Sequence, residues 1–184
     1  MKRRNLLTMG GVAGLFAVTG IGLSLQSTKS YPHDDNSRLT FSARELSILA
    51  AVAETILPQN KDFPSGLTLK VAEGVDSLLS KSHPSVIAEI KQLLMLLENA
   101  ALNGLTHFHP IPFSQMLLEE RTQILDGWAT SPLALQRKGF KALNGLCQSA
   151  YYAQSSVHSL VGYDGPPAHI LPLIVAAART NGDP

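Results

Sequence analysis

Beyond residue 40, apolar residues recur at intervals of three and four, the spacing that places them on one face of a helix. Leu46, Leu49, Ala50, Ala53, Ile56 and Leu57 form the first such stripe. Ser42, with Glu45 three residues on, reads as its capping box, and Pro58 stops it. The turn formers of "QNKDFPSG" follow. A second helix is predicted over Leu69 to Leu79, with Val71, Val75, Leu78 and Leu79 inward. Ser82-His83-Pro84 restarts the chain, because proline suits a first helical turn. Val86, Ile87, Ile90, Leu93, Leu94 and Leu97 then mark a third helix that fades near Asn103-Gly104. After the loop "THFHPIP", "FSQMLLEERTQILDGWA" is predicted helical with a break near Met116. Ser131-Pro132 reads as another helix start, and Phe140, Leu143, Leu146, Cys147, Ala150 and Tyr151 as the inner face that follows. No stretch alternates in the manner of a strand. The expected fold is all-α, a single bundle of about five or six helices behind an N-terminal signal or anchor helix. Each stripe needs a partner, since burying one Leu or Ile contributes roughly 1.5–3 kcal/mol.

The first thirty residues follow a different rule. Lys2-Arg3-Arg4 precedes an apolar run from Leu6 to Leu25, the order of an export signal. Arg3 and Arg4 followed by Asn5-Leu6-Leu7 resemble a twin-arginine signal, and the glycines and threonines of the run keep it moderately hydrophobic. An ordinary N-terminal membrane helix is the alternative, since about twenty residues just span a bilayer. No Ala-x-Ala-like cleavage site follows Leu25, which leaves open retention as an anchor with Arg3 and Arg4 on the cytoplasmic side. The chain is thus divided into residues 1–30 as signal or anchor, 31–40 as a polar linker and 41–184 as the helical domain. The expected location is the periplasmic side of a bacterial inner membrane.

Composition changes the picture in two places. Of 184 residues, 45% are hydrophobic and only 16% charged, against roughly 25% charged in ordinary soluble domains. The formal charge of +1 hides an asymmetry. Lys2, Arg3, Arg4 and Lys29 carry the excess, and the remaining 11 basic residues face 14 acidic ones. A mildly acidic body without a basic stripe argues against nucleic acid. The one cysteine, Cys147, excludes an intrachain disulfide, a multi-thiolate metal site and a Cys-x-x-Cys-His haem attachment. It is read as a small buried hydrophobe.

Candidate chemistry is sparse. His107 and His109 are spaced to share a metal ion but have no third ligand at a recognisable interval, so a polar loop before Pro110 is the favoured reading. Glu119-Glu120-Arg121 reads as a solvated helix start, because adjacent helical residues point in different directions. Gly-x-Ser-x-Gly, dinucleotide and Walker motifs are missing. What remains is "YYAQSSVHSLVGYDGPP", residues 151–167, with three of the four tyrosines, a histidine and an aspartate. Acid–base catalysis would require Tyr152, His158 and Asp164 to converge. Structural or docking use is favoured, because tyrosine buries large area while keeping a polar tip. Tyr151 is expected in the core. Tyr152, Tyr163 and the Asp164-Gly165-Pro166 turn are expected to fix the following loop and to meet a partner.

In order along the chain, "LTFSARELSILAAVAETILPQ", "GVDSLL", "MLLEERTQIL" and "YYAQSSVHSLVGYDGPP" resemble the gluconate 2-dehydrogenase subunit 3 family, over residues 39 to 167. The resemblance implies a non-catalytic small subunit of a membrane-associated sugar or alcohol dehydrogenase complex. In such complexes a large FAD-containing subunit of the glucose-methanol-choline type takes hydride from the substrate. A cytochrome c subunit carrying haem c passes the electrons on. The small subunit is implied to bind the flavoprotein and assist its folding, export and assembly through the twin-arginine translocase, without a cofactor or metal of its own. A leader for folded cargo on a body without a cofactor motif fits that role. The alternative is a stand-alone exported helical protein that binds a ligand or a metal.

Overall fold

The computed structural model describes residues 28–32, 38–58, 60–100, 111–165, 167, 169–170 and 172. Arg3, Arg4, the rest of the leader, His107, His109 and Pro166 lie outside the described residues. Among the described residues the architecture is helical, with one isolated bridge between Asn60 and Phe63 and no strand.

Helix α1 spans Ala43–Ile56 and opens on the predicted capping box. The Ser42 hydroxyl accepts from the Glu45 N–H at 3.3 Å, and a Glu45 carboxylate oxygen accepts from the Ser42 N–H at 2.7 Å. Leu46 through Ala53 are all buried, so this helix is wrapped rather than one-sided. A helix apolar on every side belongs in the centre of a bundle. The other long helices and a short 3-10 turn at Phe113–Gln115 pack around α1.

Helix α2, Val71–Leu79, starts two residues later than predicted, after Lys70 in the left-handed region at φ 50°. Val71, Val75 and Leu79 are buried as expected, but Leu78 is exposed. The inward place in the last turn goes to Asp76 instead. One Asp76 oxygen accepts from the Thr40 and Phe41 N–H groups at 2.9 and 3.0 Å, and the other accepts from Leu39 at 2.7 Å. A carboxylate with three amide donors can be buried at tolerable cost.

Helix α3, Pro84–Glu98, begins at the predicted proline, with the His83 ring accepting from the Ser85 N–H. Ile90, Leu94 and Leu97 are its buried stripe, whereas Val86 is exposed. The first turns of α3 stand out from the bundle, with Ile87 half-buried and its neighbours exposed. Helix α4, Leu118–Thr130, follows the 3-10 turn, with the break at Met116 as predicted. Helix α5, Ala134–Tyr152, packs against α2 and α4. It begins after Ser131-Pro132 rather than at it, because the Ser131 hydroxyl accepts from the Leu133 N–H in a turn of its own. Gly139 lets α5 close on its neighbours: a Cβ there would lie 2.5 Å from Leu93 Cδ1 and 3.1 Å from Trp128 Cζ3. A short α6, Ser155–His158, and a 3-10 turn, Ser159–Val161, complete the described chain. Trp128, Tyr151, Phe113, Leu49, Leu94 and Leu143 fill the core.

The polar stretch before α1 also reaches the core, for Tyr31 is 4% exposed. No helix among the described residues is long and apolar enough to cross a membrane.

Candidate docking site

At the end of α5 the two adjacent tyrosines part company. Tyr151 turns inward, is fully buried, and donates its hydroxyl hydrogen to the Pro64 carbonyl at 2.8 Å. Tyr152 turns outward, its ring edge-on to Tyr151 with centroids 5.3 Å apart. The chain then bends through α6, whose Val157 is buried and fastens the bend to the bundle. His158 Nε2 lies 3.0 Å from the Tyr152 carbonyl oxygen, a bond in which the imidazole donates. The Tyr163 ring meets the His158 ring edge-on at 5.1 Å, and the Tyr163 N–H donates to the His158 carbonyl at 2.9 Å. Gly162, at φ 69°, makes the reversal that returns Tyr163 to His158. Gly165 at φ 97° turns the chain again, beside an exposed Asp164.

His158 is therefore held by a carbonyl and an aromatic ring, while Asp164 stands in the next turn. The arrangement braces two tyrosines at the surface. Tyr152, Leu160, Val161 and Tyr163 are each close to half exposed, and Ile170 is exposed to a smaller extent. Leu160 and Val161 were not singled out by sequence reasoning. They lie in the 3-10 turn Ser159–Val161, between His158 and Tyr163, with their side chains exposed. Exposed aromatic and aliphatic side chains on a braced scaffold are the makings of a protein contact.

A groove of about 360 Å³ lies between α3 and α5, with Ile90, Leu93, Leu96, Leu135 and Ala142 in its wall together with Glu89, Gln92 and Lys138. Its wall is mostly apolar. Cys147 is buried, and burial pushes its thiol up to about 12, so the nucleophilic thiolate is suppressed. Among the described residues no group of three or more His, Cys, Asp or Glu could hold a metal ion.

The strongest polar constellation was missed from sequence. Arg121, read with Glu119 and Glu120 as part of a solvated start, is buried. Its guanidinium donates to the Tyr31 hydroxyl at 2.9 Å, the Ala51 carbonyl at 3.1 Å and the Glu54 carboxylate at 2.8 Å. The Tyr31 hydroxyl donates in turn to Glu54 at 3.0 Å. Burial pushes this phenol up to about 12, against the lowering influence of Arg121, so it stays a donor. Glu98, also buried, accepts from the Ser114 N–H at 2.9 Å and hydroxyl at 2.7 Å. These networks fasten segments together. Their only signal in the sequence is charge at positions where a helix should be apolar.

An all-α body with two tyrosines exposed beyond its last long helix defines a small helical protein. More narrowly, the chain belongs to the gluconate 2-dehydrogenase subunit 3 family, whose model matches residues 43–165. The match runs from the first residue of α1 to the glycine of "YDGPP", and so includes Tyr151, Tyr152 and Tyr163. The family is one of subunits of a dehydrogenase complex. No curated protein and no solved structure gives a significant match.

Proposed function

We propose that this chain is the non-catalytic small subunit of an FAD-dependent, glucose-methanol-choline-type sugar or alcohol dehydrogenase complex on the periplasmic side of a bacterial inner membrane. It binds the flavoprotein subunit and assists its folding, export and assembly. Family membership, through the match over residues 43–165, is the observation that carries the reading. The exposed Tyr152, Leu160, Val161 and Tyr163 support it as the contact surface. FAD belongs to the large subunit and haem c to a cytochrome subunit. The leader with Arg3 and Arg4 serves the twin-arginine translocase and carries the loaded flavoprotein with it.

Two experiments test the two halves of this proposal. Tagged chain, recovered from its native host, is expected to bring a flavoprotein with it, and Tyr163→Ala with Tyr152→Ala to lose that flavoprotein while keeping the wild-type helical spectrum. A complex that stayed intact but lost turnover would place these tyrosines in the chemistry instead. Replacing Arg3 and Arg4 with Lys is expected to leave the flavoprotein in the cytoplasm. Normal delivery of the flavoprotein by that variant would end the escort role. Stoichiometric metal in the purified chain would favour the stand-alone binding protein.

A further inference from the structure

Helix α5 contains Arg137, Lys138 and Lys141 and no acidic residue. Arg137 is occupied, since its guanidinium donates to the Ser131 carbonyl. Lys138 and Lys141 are exposed, and among the described residues neither forms a salt bridge. From Lys138, steps of four and three residues lead to Ala142, Gly145, Ser149 and Tyr152. Helical residues at this spacing are neighbours on one face. Gly145, Ser149 and Tyr152 are exposed and Ala142 is half-buried, so the row runs along the outside of the bundle.

The row has a distinct feature at each end. At one, Lys138 and Ala142 form part of the groove against α3, beside the exposed Leu135. At the other stands Tyr152, close to half exposed. The 14 residues between Lys138 and Tyr152 cover about 21 Å of helix.

The middle of the row is where the chain's own packing stops accounting for the sequence. A glycine inside a helix costs about 1 kcal/mol relative to alanine. Gly139 has a reason within the chain, since a Cβ there would strike Leu93. At Gly145 a Cβ would meet nothing within 4 Å. What a missing side chain offers at an exposed position is close approach by a second backbone.

We propose that the α5 face from the Leu135 groove to Tyr152 seats a helix of the flavoprotein subunit, which crosses at Gly145 and presents carboxylates to Lys138 and Lys141. This rests on the reading of the chain as the small subunit of such a complex. An apolar side chain of the incoming helix enters the groove, and nothing bulky on α5 stands in its way at Gly145. The charge of the occupant follows from the cations along α5, because complementary charge fixes orientation and rejects wrong partners. Glu89, exposed on the α3 side of the groove, repels acids there, so the carboxylates lie on the lysine side. A second copy of this chain suits the face poorly. Its own α5 has no carboxylate to offer, and a symmetric pairing of the two helices leaves the lysines unanswered.

The test uses the tagged full chain recovered from its native host. Gly145→Leu is expected to keep the helical spectrum and a melting temperature no lower than wild type, yet to bring down several-fold less flavoprotein. K138E/K141E is expected to show a similar loss, and K138R/K141R to recover wild-type amounts. Undiminished flavoprotein with Gly145→Leu overturns the docking face, and undiminished flavoprotein with K138E/K141E overturns the acidic occupant. A wild-type chain that sediments as a dimer and becomes monomeric in Gly145→Leu assigns the face to a second copy and also overturns the proposal. No flavoprotein with the wild type ends the small-subunit reading itself. Flavoprotein recovered equally by wild type and Gly145→Leu ends only the present proposal.

Discussion

Arg121 shows how much one buried side chain can organise. Its three partners are Tyr31, ahead of α1, and Ala51 and Glu54 within α1, so its removal takes one charged donor from each and leaves the Glu54 carboxylate without its cation. Arg121→Ala is expected to cost about 3 kcal/mol in chemical denaturation, the scale for breaking a buried pair on one side. Tyr31→Phe removes one shared hydroxyl and is expected to cost only about 1 kcal/mol. Glu98 is a different case. Burial raises its carboxyl above the usual 4.5, with the Ser114 bonds, Thr28 and the Arg44 charge pulling partly back. The folded state therefore holds its proton to higher pH than the unfolded chain does. Stability from this group is complete below the ordinary carboxylate range and is lost as pH rises through the folded value. Glu98→Gln should accordingly gain on the wild type when the two are compared by denaturation at about pH 4 and then about pH 7. A steeper loss in the variant would contradict the assigned direction. Cys147 is expected to ignore thiol reagents until the protein unfolds.

At the scale of elements, helix starts were legible where a local pattern carries its own geometry. Ser42 with Glu45 set α1, and Pro84 set α3. Ser131-Pro132 misled by two residues, because a serine before proline can close a turn as well as cap a helix. Leu78 and Val86 were assigned inward because spacing alone cannot tell which apolar residue of a turn meets a neighbour. Asp76 took the inward position in α2, and among the described residues the first turns of α3 are exposed except at the half-buried Ile87. The two glycines of α5's middle differ for the same kind of reason. Gly139 sits where Leu93 and Trp128 close in, while a Cβ at Gly145 would meet nothing within 4 Å. Gly145→Ala should raise stability by about 1 kcal/mol, the helix-propensity difference, seen as a higher melting temperature.

For the whole molecule, the bundle was readable and its fastenings were not. Periodicity reports which faces are apolar, so an all-α core followed from it. The tie between Tyr31 and Arg121 joins residues 90 apart in sequence, and no local pattern encodes that. The exposed apolar surface beyond α5 was half legible: the tyrosines stood out by their rarity, but the exposure of Leu160 and Val161 needed the bend after α5. If that surface holds a partner, Tyr163→Ala should change assembly far more than stability. The check is a melting temperature within a few degrees of wild type, as expected for an exposed residue, together with a failed pull-down.

The contacts of residues 28–31 also impose an order of events. Thr28 through Tyr31 leave the ribosome early, yet their anchors include Ser114 and Arg121, synthesised 85 and 90 residues after the groups they bind. Contacts this distant in sequence form late, after the intervening chain has collapsed. The segment just behind Leu25 is therefore fastened only once α1, α3 and the start of α4 are in place. Residues 28–31 are therefore among the last of the described chain to find their partners.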